Sequence, residues 1–141
     1  MNALYSTLVT AVGGRNGRVR SDDGLLDLGL AMPGSLGGKG GATNPEQLFA
    51  AGYAACFGNA VIHVARKKDR AIKEEDVEVA ATVGLTPNDS GGFALAVALD
   101  VTLTGVDQAT AEVIVDEAHQ VCPYSNATRG NVDVQLNVGT R

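Results

Sequence analysis

The chain has 141 residues, which is enough for one domain with a buried core and too few for two domains of ordinary size. Acidic residues outnumber basic residues by 16 to 11, and the one basic cluster, at 66–68, is followed by acidic side chains, so nucleic-acid binding is not expected. The N-terminal segment lacks a basic stretch followed by an apolar one, and no apolar run approaches the roughly 18 residues of a membrane span, so we expect a cytoplasmic protein without membrane association.

The first third of the chain predicts a small antiparallel meander. Residues 4–12 are rich in β-branched and aromatic side chains, which favours a strand. The glycines of residues 13–17 predict a turn, because glycine tolerates positive φ. Residues 18–20 and 26–30 then have the composition of two short return strands.

A glycine-rich segment at residues 32–42 leaves no room for a packed element. It resembles a phosphate-binding loop only superficially, because Lys39 is followed by Gly40 instead of Ser or Thr and no strand leads into it. We therefore predict no nucleotide cofactor.

The longest predicted element is a helix that begins at residue 45 and extends to about residue 68. Asn44 is a favourable N-cap, Pro45 suits the first helical position, and Glu46 lies in the first turn, where the helix dipole favours a carboxylate. The helix is apolar on nearly all sides, which predicts that it is buried, and its many small residues allow close approach of another backbone. The sequence therefore predicts a long central helix.

The second half of the chain predicts strand, strand, helix and strand. Alternating apolar residues favour strands at 77–85 and 93–103, helical spacing favours a helix at 107–121, and residues 132–138 alternate as a closing strand. The order of elements predicts an α+β fold, and no linker or repeat divides the single domain 1–141.

The two cysteines are the strongest candidates for chemistry. Cys56 lies inside the apolar helix and is expected to be sheltered, whereas Cys122 ends the second helix and is expected to be more reachable. In a reducing compartment a pair of cysteines is more often catalytic or redox-sensing than structural. A buried cysteine is also often a simple apolar core residue, so the composition alone leaves both alternatives open.

A reactive Cys56 needs a nearby positive charge. Burial alone raises the pKa of a thiol and leaves it inert, and the helix offers no cation close to Cys56. Arg15, on the glycine-rich turn, is the best placed by sequence context. A buried arginine requires a partner, and Glu46 could bind its guanidinium in a bidentate ion pair.

A metal centre is not predicted. His119 and Cys122 have a spacing of three residues, and Cys56 and His63 share a stripe of their helix. Neither pair belongs to a pattern that usually builds a zinc site, and four ligands would have to converge from two elements.

Two long segments around the cysteines resemble a known family. Residues 43–57 and 121–131 are similar to the two signature segments of the organic hydroperoxide resistance (Ohr) proteins of the OsmC/Ohr family, and the likeness includes residues 13–17 and extends over almost the whole chain. The resemblance implies an α+β fold in which antiparallel sheets pack around a long central helix. It also implies an intertwined homodimer with its active sites near the subunit interface.

The resemblance further implies a cysteine-based peroxidase that protects against oxidative stress. Cys56 would be the peroxidatic cysteine, Cys122 the resolving cysteine, and Arg15 with Glu46 the pair that activates the thiolate. The implied cycle reduces organic hydroperoxides to alcohols through a Cys56 sulfenic acid and a Cys56–Cys122 disulfide, with a dithiol reductant such as a lipoylated protein and no cofactor. Two alternatives remain: a redox-switched binding or sensing module that forms the same disulfide without turnover, and a structural domain with two core thiols.

Overall fold

The computed structural model describes residues 2–141 and contains, within that range, six strands and three α-helices. The mixture of helix and sheet confirms the predicted fold class. The chain forms two compact units, one ending at Leu48 and one running from Phe49 to Arg141.

The first unit contains a three-stranded antiparallel sheet. Strands β1 (Val9–Val12), β2 (Arg18–Ser21) and β3 (Asp27–Gly29) follow one another in the order β1-β2-β3. The predicted meander is therefore confirmed. Its first strand is shorter than predicted, because β2 provides only four partner positions, from Ser21 opposite Val9 to Arg18 opposite Val12.

A tight turn joins β1 to β2. Gly13 and Gly14 have φ angles of 86° and 60°, in the left-handed region that favours glycine. Gly17 closes the turn against the strand, and a Cβ atom added there would lie 1.7 Å from the carbonyl oxygen of Val12. The turn is therefore specific to glycine, and it carries Arg15 at its centre.

Helix α1 (Pro45–Lys67) begins where the sequence predicts and ends within a residue of the predicted end. The backbone N–H of Gln47 donates to Asn44 Oδ1 at 2.9 Å, which is the expected N-cap bond. The prediction that this helix is buried on nearly all sides is wrong, however. Ala51, Ala55 and His63 lie on a face that is exposed in the single chain.

Helix α1 is long and apolar enough, by length and composition, to cross a membrane. The expectation that no apolar segment approaches this length is therefore wrong. The central helix of a folded core meets the same criterion, and the buried side chains of α1 include Tyr53, Phe57, Val61 and Val64.

The second unit is built on a mixed three-stranded sheet. Strands β4 (Val77–Pro87) and β5 (Phe93–Leu103) form a long antiparallel hairpin, and β6 (Val134–Thr140) pairs with the other edge of β5. The predicted antiparallel pairing holds for β4 and β5, but β6 runs parallel to β5. Two helices between β5 and β6 form the long crossover that parallel pairing requires.

Those two helices are α2 (Gln108–Val121) and α3 (Pro123–Thr128). Helix α2 matches the prediction, and Asp107 caps it by accepting a hydrogen bond from the Thr110 N–H. Helix α3 was not predicted. The core of this unit combines α1, α2 and one face of the sheet, and its largest fully buried apolar side chains are Tyr53, Phe57, Leu99, Leu103 and Ile114.

Candidate active site

Arg15 and Glu46 form a bidentate ion pair in the first unit. Arg15 Nη1 donates to Glu46 Oε2 at 2.8 Å, and Nη2 donates to Oε1 at 2.7 Å. The predicted pair is therefore present. These hydrogen bonds lower the pKa of the Glu46 carboxyl and raise the pKa of Arg15, so both groups are charged over the physiological range.

The turn that carries Arg15 is anchored on both sides. The N–H of Gly17 donates to the carbonyl oxygen of Gly14 at 3.1 Å, which closes the turn. Asn16 Oδ1 accepts a hydrogen bond of 3.0 Å from the backbone N–H of Met32, at the start of the glycine-rich segment. The backbone beneath the guanidinium is therefore fixed, which reduces the entropy lost when Arg15 binds a ligand.

Cys56 and Cys122 lie together in the second unit. Both are free thiols, and the Cys122 thiol faces the Cys56 sulfur at an Sγ–Sγ distance of 3.6 Å. A disulfide bond is about 2.05 Å long, so the two sulfur atoms need to approach by only about 1.5 Å. The arrangement therefore allows a disulfide to form without a large rearrangement of the backbone.

The exposure of the two cysteines is the reverse of the prediction. Cys122 is fully buried, whereas Cys56 is partly exposed. Cys122 lies at the corner between α2 and α3 and belongs to the buried core of the second unit. A reagent from solvent can therefore reach Cys56 while Cys122 is protected from direct attack.

The immediate surroundings raise the pKa of Cys56. Burial is the main cause, and the neighbouring Cys122 sulfur acts in the same direction. The backbone N–H of Tyr124 opposes both effects, because it donates a hydrogen bond that favours the thiolate. The pKa direction agrees with the expectation that Cys56 requires a positive charge in order to react.

Aromatic rings surround this region of α1. Phe49 makes edge-on contacts with Tyr53 and Tyr124, at centroid distances of 6.2 Å and 6.3 Å, and Tyr53 lies 5.7 Å from Tyr124. Gly52 provides the space for the Tyr124 ring, since a Cβ atom there would lie 2.8 Å from Tyr124 Oη. The cysteine pair is therefore bordered by an apolar, aromatic surface.

A buried polar network lies beside the cysteines, and the sequence did not reveal it. Tyr53 Oη and Ser125 Oγ are 2.8 Å apart, and Ser125 Oγ is also 2.8 Å from His119 Nδ1. Thr128 Oγ1 lies 3.3 Å from Tyr53 Oη. Burial lowers the pKa of His119, and the positive charge of Arg129 adds to this effect, so the imidazole is neutral at pH 7.

The two histidines do not join the cysteines in a ligand cluster. Within residues 2–141, no group of three or more His, Cys, Asp or Glu side chains is arranged to hold a metal ion. His119 directs Nδ1 at Ser125, and His63 is exposed on α1.

Comparison with known proteins identifies the family. The model of the OsmC-like protein family matches residues 38–137. The chain is 49% identical over 137 residues to the organic hydroperoxide resistance protein OhrB of Bacillus subtilis, covering 96% of this chain and 98% of the relative. It is 51% identical over 136 residues to an organic hydroperoxide resistance protein of Xanthomonas axonopodis, covering 96% of this chain and 94% of the relative.

Solved structures agree with the sequence relatives. An organic hydroperoxide resistance protein of Legionella pneumophila is 57% identical, with a TM-score of 0.93 and coverage of 98% of this chain and 99% of that chain. A Vibrio cholerae protein described as a putative organic hydroperoxide resistance protein is 56% identical, with a TM-score of 0.93 and coverage of 98% and 94%. The chain belongs to the organic hydroperoxide resistance proteins of the OsmC-like family, whose general function is that of a peroxidase.

Proposed function

We propose that the protein reduces organic hydroperoxides to alcohols with Cys56 as the peroxidatic cysteine and Cys122 as the resolving cysteine. The observation that carries the proposal is the pair of free thiols at 3.6 Å, one partly exposed and one fully buried. This asymmetry suits the two roles, because the peroxidatic sulfur must contact substrate and the resolving sulfur must remain reduced until the sulfenic acid has formed.

The chemistry proceeds in three balanced steps. The Cys56 thiolate attacks the hydroperoxide oxygen farther from carbon, the O–O bond breaks, and the alcohol leaves after taking a proton, so that Cys56 becomes a sulfenic acid. The Cys122 thiol then attacks the Cys56 sulfur, and water leaves as the disulfide forms. A dithiol reductant restores both thiols by exchange and is itself oxidised to a disulfide.

Arg15 and Glu46 are proposed to activate Cys56. The bidentate bond to Glu46 fixes the guanidinium and still leaves other N–H donors of Arg15 for a thiolate or a peroxide oxygen. A positive charge beside Cys56 would offset the burial that raises its pKa.

The proposed substrates are alkyl and lipid hydroperoxides. Phe49 and Tyr124 retain exposed surface near the cysteine pair and offer apolar contact to a hydrocarbon chain, while the fully buried Tyr53 supports both rings from beneath. Each buried methylene contributes about 0.8 kcal/mol, so a substrate with several methylenes should be preferred over hydrogen peroxide.

The proposal includes a homodimer in the cytoplasm that is reduced by lipoylated proteins. Free thiols suit a reducing compartment. A second copy of the chain is proposed to bury two exposed surfaces, the exposed face of α1 and an apolar surface of the first unit. The exposed apolar side chains of that unit include Leu4, Tyr5, Leu8, Val9, Val12 and Leu25.

Turnover with a dithiol tests the proposal. The protein is mixed with a large excess of a fatty-acid hydroperoxide and dihydrolipoamide, with hydrogen peroxide in a parallel reaction. Repeated consumption of the organic hydroperoxide, at a second-order rate well above that for hydrogen peroxide, is the expected result. The Cys56→Ser variant is the control for reaction of the dithiol alone.

A redox-switched binding or sensing module is the second candidate function. The same cysteine geometry supports it, because a disulfide between α1 and the α2–α3 corner would change the surface next to both. Such a module would consume one equivalent of peroxide and stop even with dihydrolipoamide present. That result would contradict the peroxidase proposal.

A further inference from the structure

The hydrogen bond between Tyr53 and Ser125 joins the same elements as the two cysteines. Tyr53 lies three residues before Cys56 on α1, and Ser125 lies three residues after Cys122, in the first turn of α3. Residues three apart share one face of a helix. The contact between the two oxygens, at 2.8 Å, therefore lies about one helical turn from each sulfur of the pair at 3.6 Å.

Ser125 is held from two sides. Its Oγ contacts Tyr53 Oη on α1 and His119 Nδ1 on α2, each at 2.8 Å. Arg129 adds a bond from its guanidinium to the carbonyl oxygen of His119, and Thr128 Oγ1 donates to the carbonyl oxygen of Ser125 at 3.2 Å. Hydrogen bonds therefore connect the corner at which Cys122 lies to both α1 and α2.

The three hydroxyl groups of the network are buried and paired, whereas His119 is half-buried. Tyr53 and Ser125 have no exposed surface, and Thr128 retains 4%. Within residues 2–141, every buried side-chain nitrogen or oxygen has a hydrogen-bond partner. Buried hydroxyl groups are costly when unpaired, so the network is strongly directional and restricts the movement of α3 relative to α1.

We propose that Tyr53 and Ser125 are positioning residues for disulfide formation, because their hydrogen bond holds Cys122 within reach of Cys56. The role rests on the proposed function, in which Cys122 resolves the oxidised Cys56. The bond acts in the dithiol form, where no covalent link joins the helices. Its loss lets the α2–α3 corner move and lowers the effective concentration of one thiol at the other.

Two variants remove the bond in different ways. Tyr53→Phe keeps the ring among Phe49 and Phe57 and leaves Ser125 Oγ bonded to His119. Ser125→Ala leaves Tyr53 Oη bonded to Thr128 Oγ1. Tyr53→Phe leaves every remaining buried polar group with a partner, whereas Ser125→Ala also removes the hydrogen-bond partner of Nδ1 on the half-buried His119. Both variants should fold, and Tyr53→Phe is the cleaner of the two. Because each removes the same contact, their effects should not add in the double variant.

The experiment measures the dithiol–disulfide equilibrium in glutathione buffers. The two protein thiols lose two protons and two electrons to oxidised glutathione, which leaves as two molecules of reduced glutathione. Alkylation under acid quench and intact mass give the ratio of the two forms. We expect the effective concentration to fall roughly three- to tenfold in each variant, the size that loss of one hydrogen bond implies.

Two controls separate positioning from general loosening of the core. Ile114→Val removes one methylene from a fully buried side chain of α2, away from the network, and should leave the equilibrium within about twofold. The alkylation rate of Cys56 in a Cys122→Ser background should also change by less than about twofold when Tyr53→Phe is added. A merely structural role would alter the dithiol–disulfide equilibrium and the alkylation rate of Cys56 together.

Three results would overturn the positioning role. They are an unchanged equilibrium in both variants, an equal fall in Ile114→Val, or a Cys56 alkylation rate that falls in parallel with the equilibrium. The glutathione measurement requires no peroxide, so a protein that failed to turn over hydroperoxides would still report on Tyr53 and Ser125. The failure of the proposed function and the failure of this inference are therefore distinguishable.

Discussion

At the scale of single residues, the proposed chemistry depends on the unequal exposure of two sulfur atoms. Cys56 meets solvent and Cys122 does not, although their sulfur atoms are 3.6 Å apart. In the proposed cycle, peroxide therefore reaches one sulfur, and the second is protected from oxidation until the first has reacted. A protected resolving thiol also stays reduced and available to condense with the sulfenic acid, whereas an accessible second thiolate would itself be oxidised by peroxide.

Replacing Arg15 tests the proposed source of positive charge. Arg15→Ala should raise the pKa of Cys56 further and slow its reaction with an organic hydroperoxide by at least about tenfold, which corresponds to one pKa unit. Arg15→Lys should restore only part of the rate, because an ammonium group cannot bind Glu46 in a bidentate geometry and also orient a peroxide.

Thiolate absorbance against pH, in a Cys122→Ser background, measures the Cys56 pKa directly. Arg18→Ala is the matched control, since Arg18 is an exposed arginine paired with Asp27 at 2.7 Å in the same unit. A Cys56 pKa that is the same with and without Arg15 would remove Arg15 as the activator.

The ion pair of Glu46 predicts a pH dependence of stability. Arg15 lowers the pKa of Glu46 below its ordinary value of 4.5, so the folded chain binds fewer protons than the unfolded chain just below that pH. The stabilisation is present above pH 4.5 and is lost as the pH falls through the folded-state pKa. The Glu46→Gln variant should therefore lose less stability than the parent between about pH 4.5 and 3, as measured by urea unfolding. Parallel curves for the two proteins would contradict this role of the pair.

The sequence predicted Cys56, Cys122, Arg15 and Glu46 as site residues, because each lies in a local context with a physical meaning. A cysteine in an apolar helix, a glycine turn and a helix N-terminus are all visible over a few neighbouring residues. The Tyr53–Ser125 contact was not visible, since its two residues are separated by 72 positions. The same limit applies to the reversed exposure of the cysteines, because burial depends on contacts between residues that are distant in the sequence.

At the scale of elements, the helices and strands that were predicted well are long and periodic. Helix α1 has a cap, a proline and an acidic first turn, so both its type and its start follow from local chemistry. Helix α3 has only six residues, too few for a periodic pattern, and Pro123 at its first position was its main signal. The parallel pairing of β6 could not be predicted, because alternation specifies a strand and not its direction.

Two glycines of α1 provide a matched pair of substitutions. Gly58→Ala should stabilise the fold by about 0.5–1 kcal/mol, because the nearest atom to the new Cβ is Val79 Cγ2 at 3.7 Å and alanine favours a helix. Gly52→Ala should not gain this stability, because its Cβ would lie 2.8 Å from Tyr124 Oη and would displace the ring. Thermal unfolding of both variants measures the difference. Equal gains would show that the Tyr124 ring has free space to move.

At the scale of the whole molecule, the single chain leaves much apolar surface uncovered. Leu4, Leu25 and Val12 are among the exposed large hydrophobic side chains, and Ala51 and Ala55 lie on the exposed face of α1. Exposed apolar surface of this kind is typical of an interface. The proposed homodimer would cover it.

Sedimentation equilibrium tests the proposed assembly. We expect a mass of about twice 14.4 kDa at micromolar concentration. Val12→Glu should shift the chain toward monomer, because a charge would then have to be buried in the interface, whereas Thr86→Glu, at the exposed end of β4, should not. A parent protein that remained monomeric at high concentration would contradict the dimer.

A single-turnover comparison of two cysteine variants tests the central claim most directly. Each variant is mixed with one equivalent of a fatty-acid hydroperoxide, and the products are read by mass spectrometry after a sulfenic-acid trap and by non-reducing peptide mapping. The account predicts that Cys56→Ser consumes no peroxide, that Cys122→Ser consumes about one equivalent and holds a trappable sulfenic acid on Cys56, and that the parent forms the Cys56–Cys122 disulfide. Equal loss of peroxide consumption in both variants, with the fold intact by circular dichroism, would contradict it.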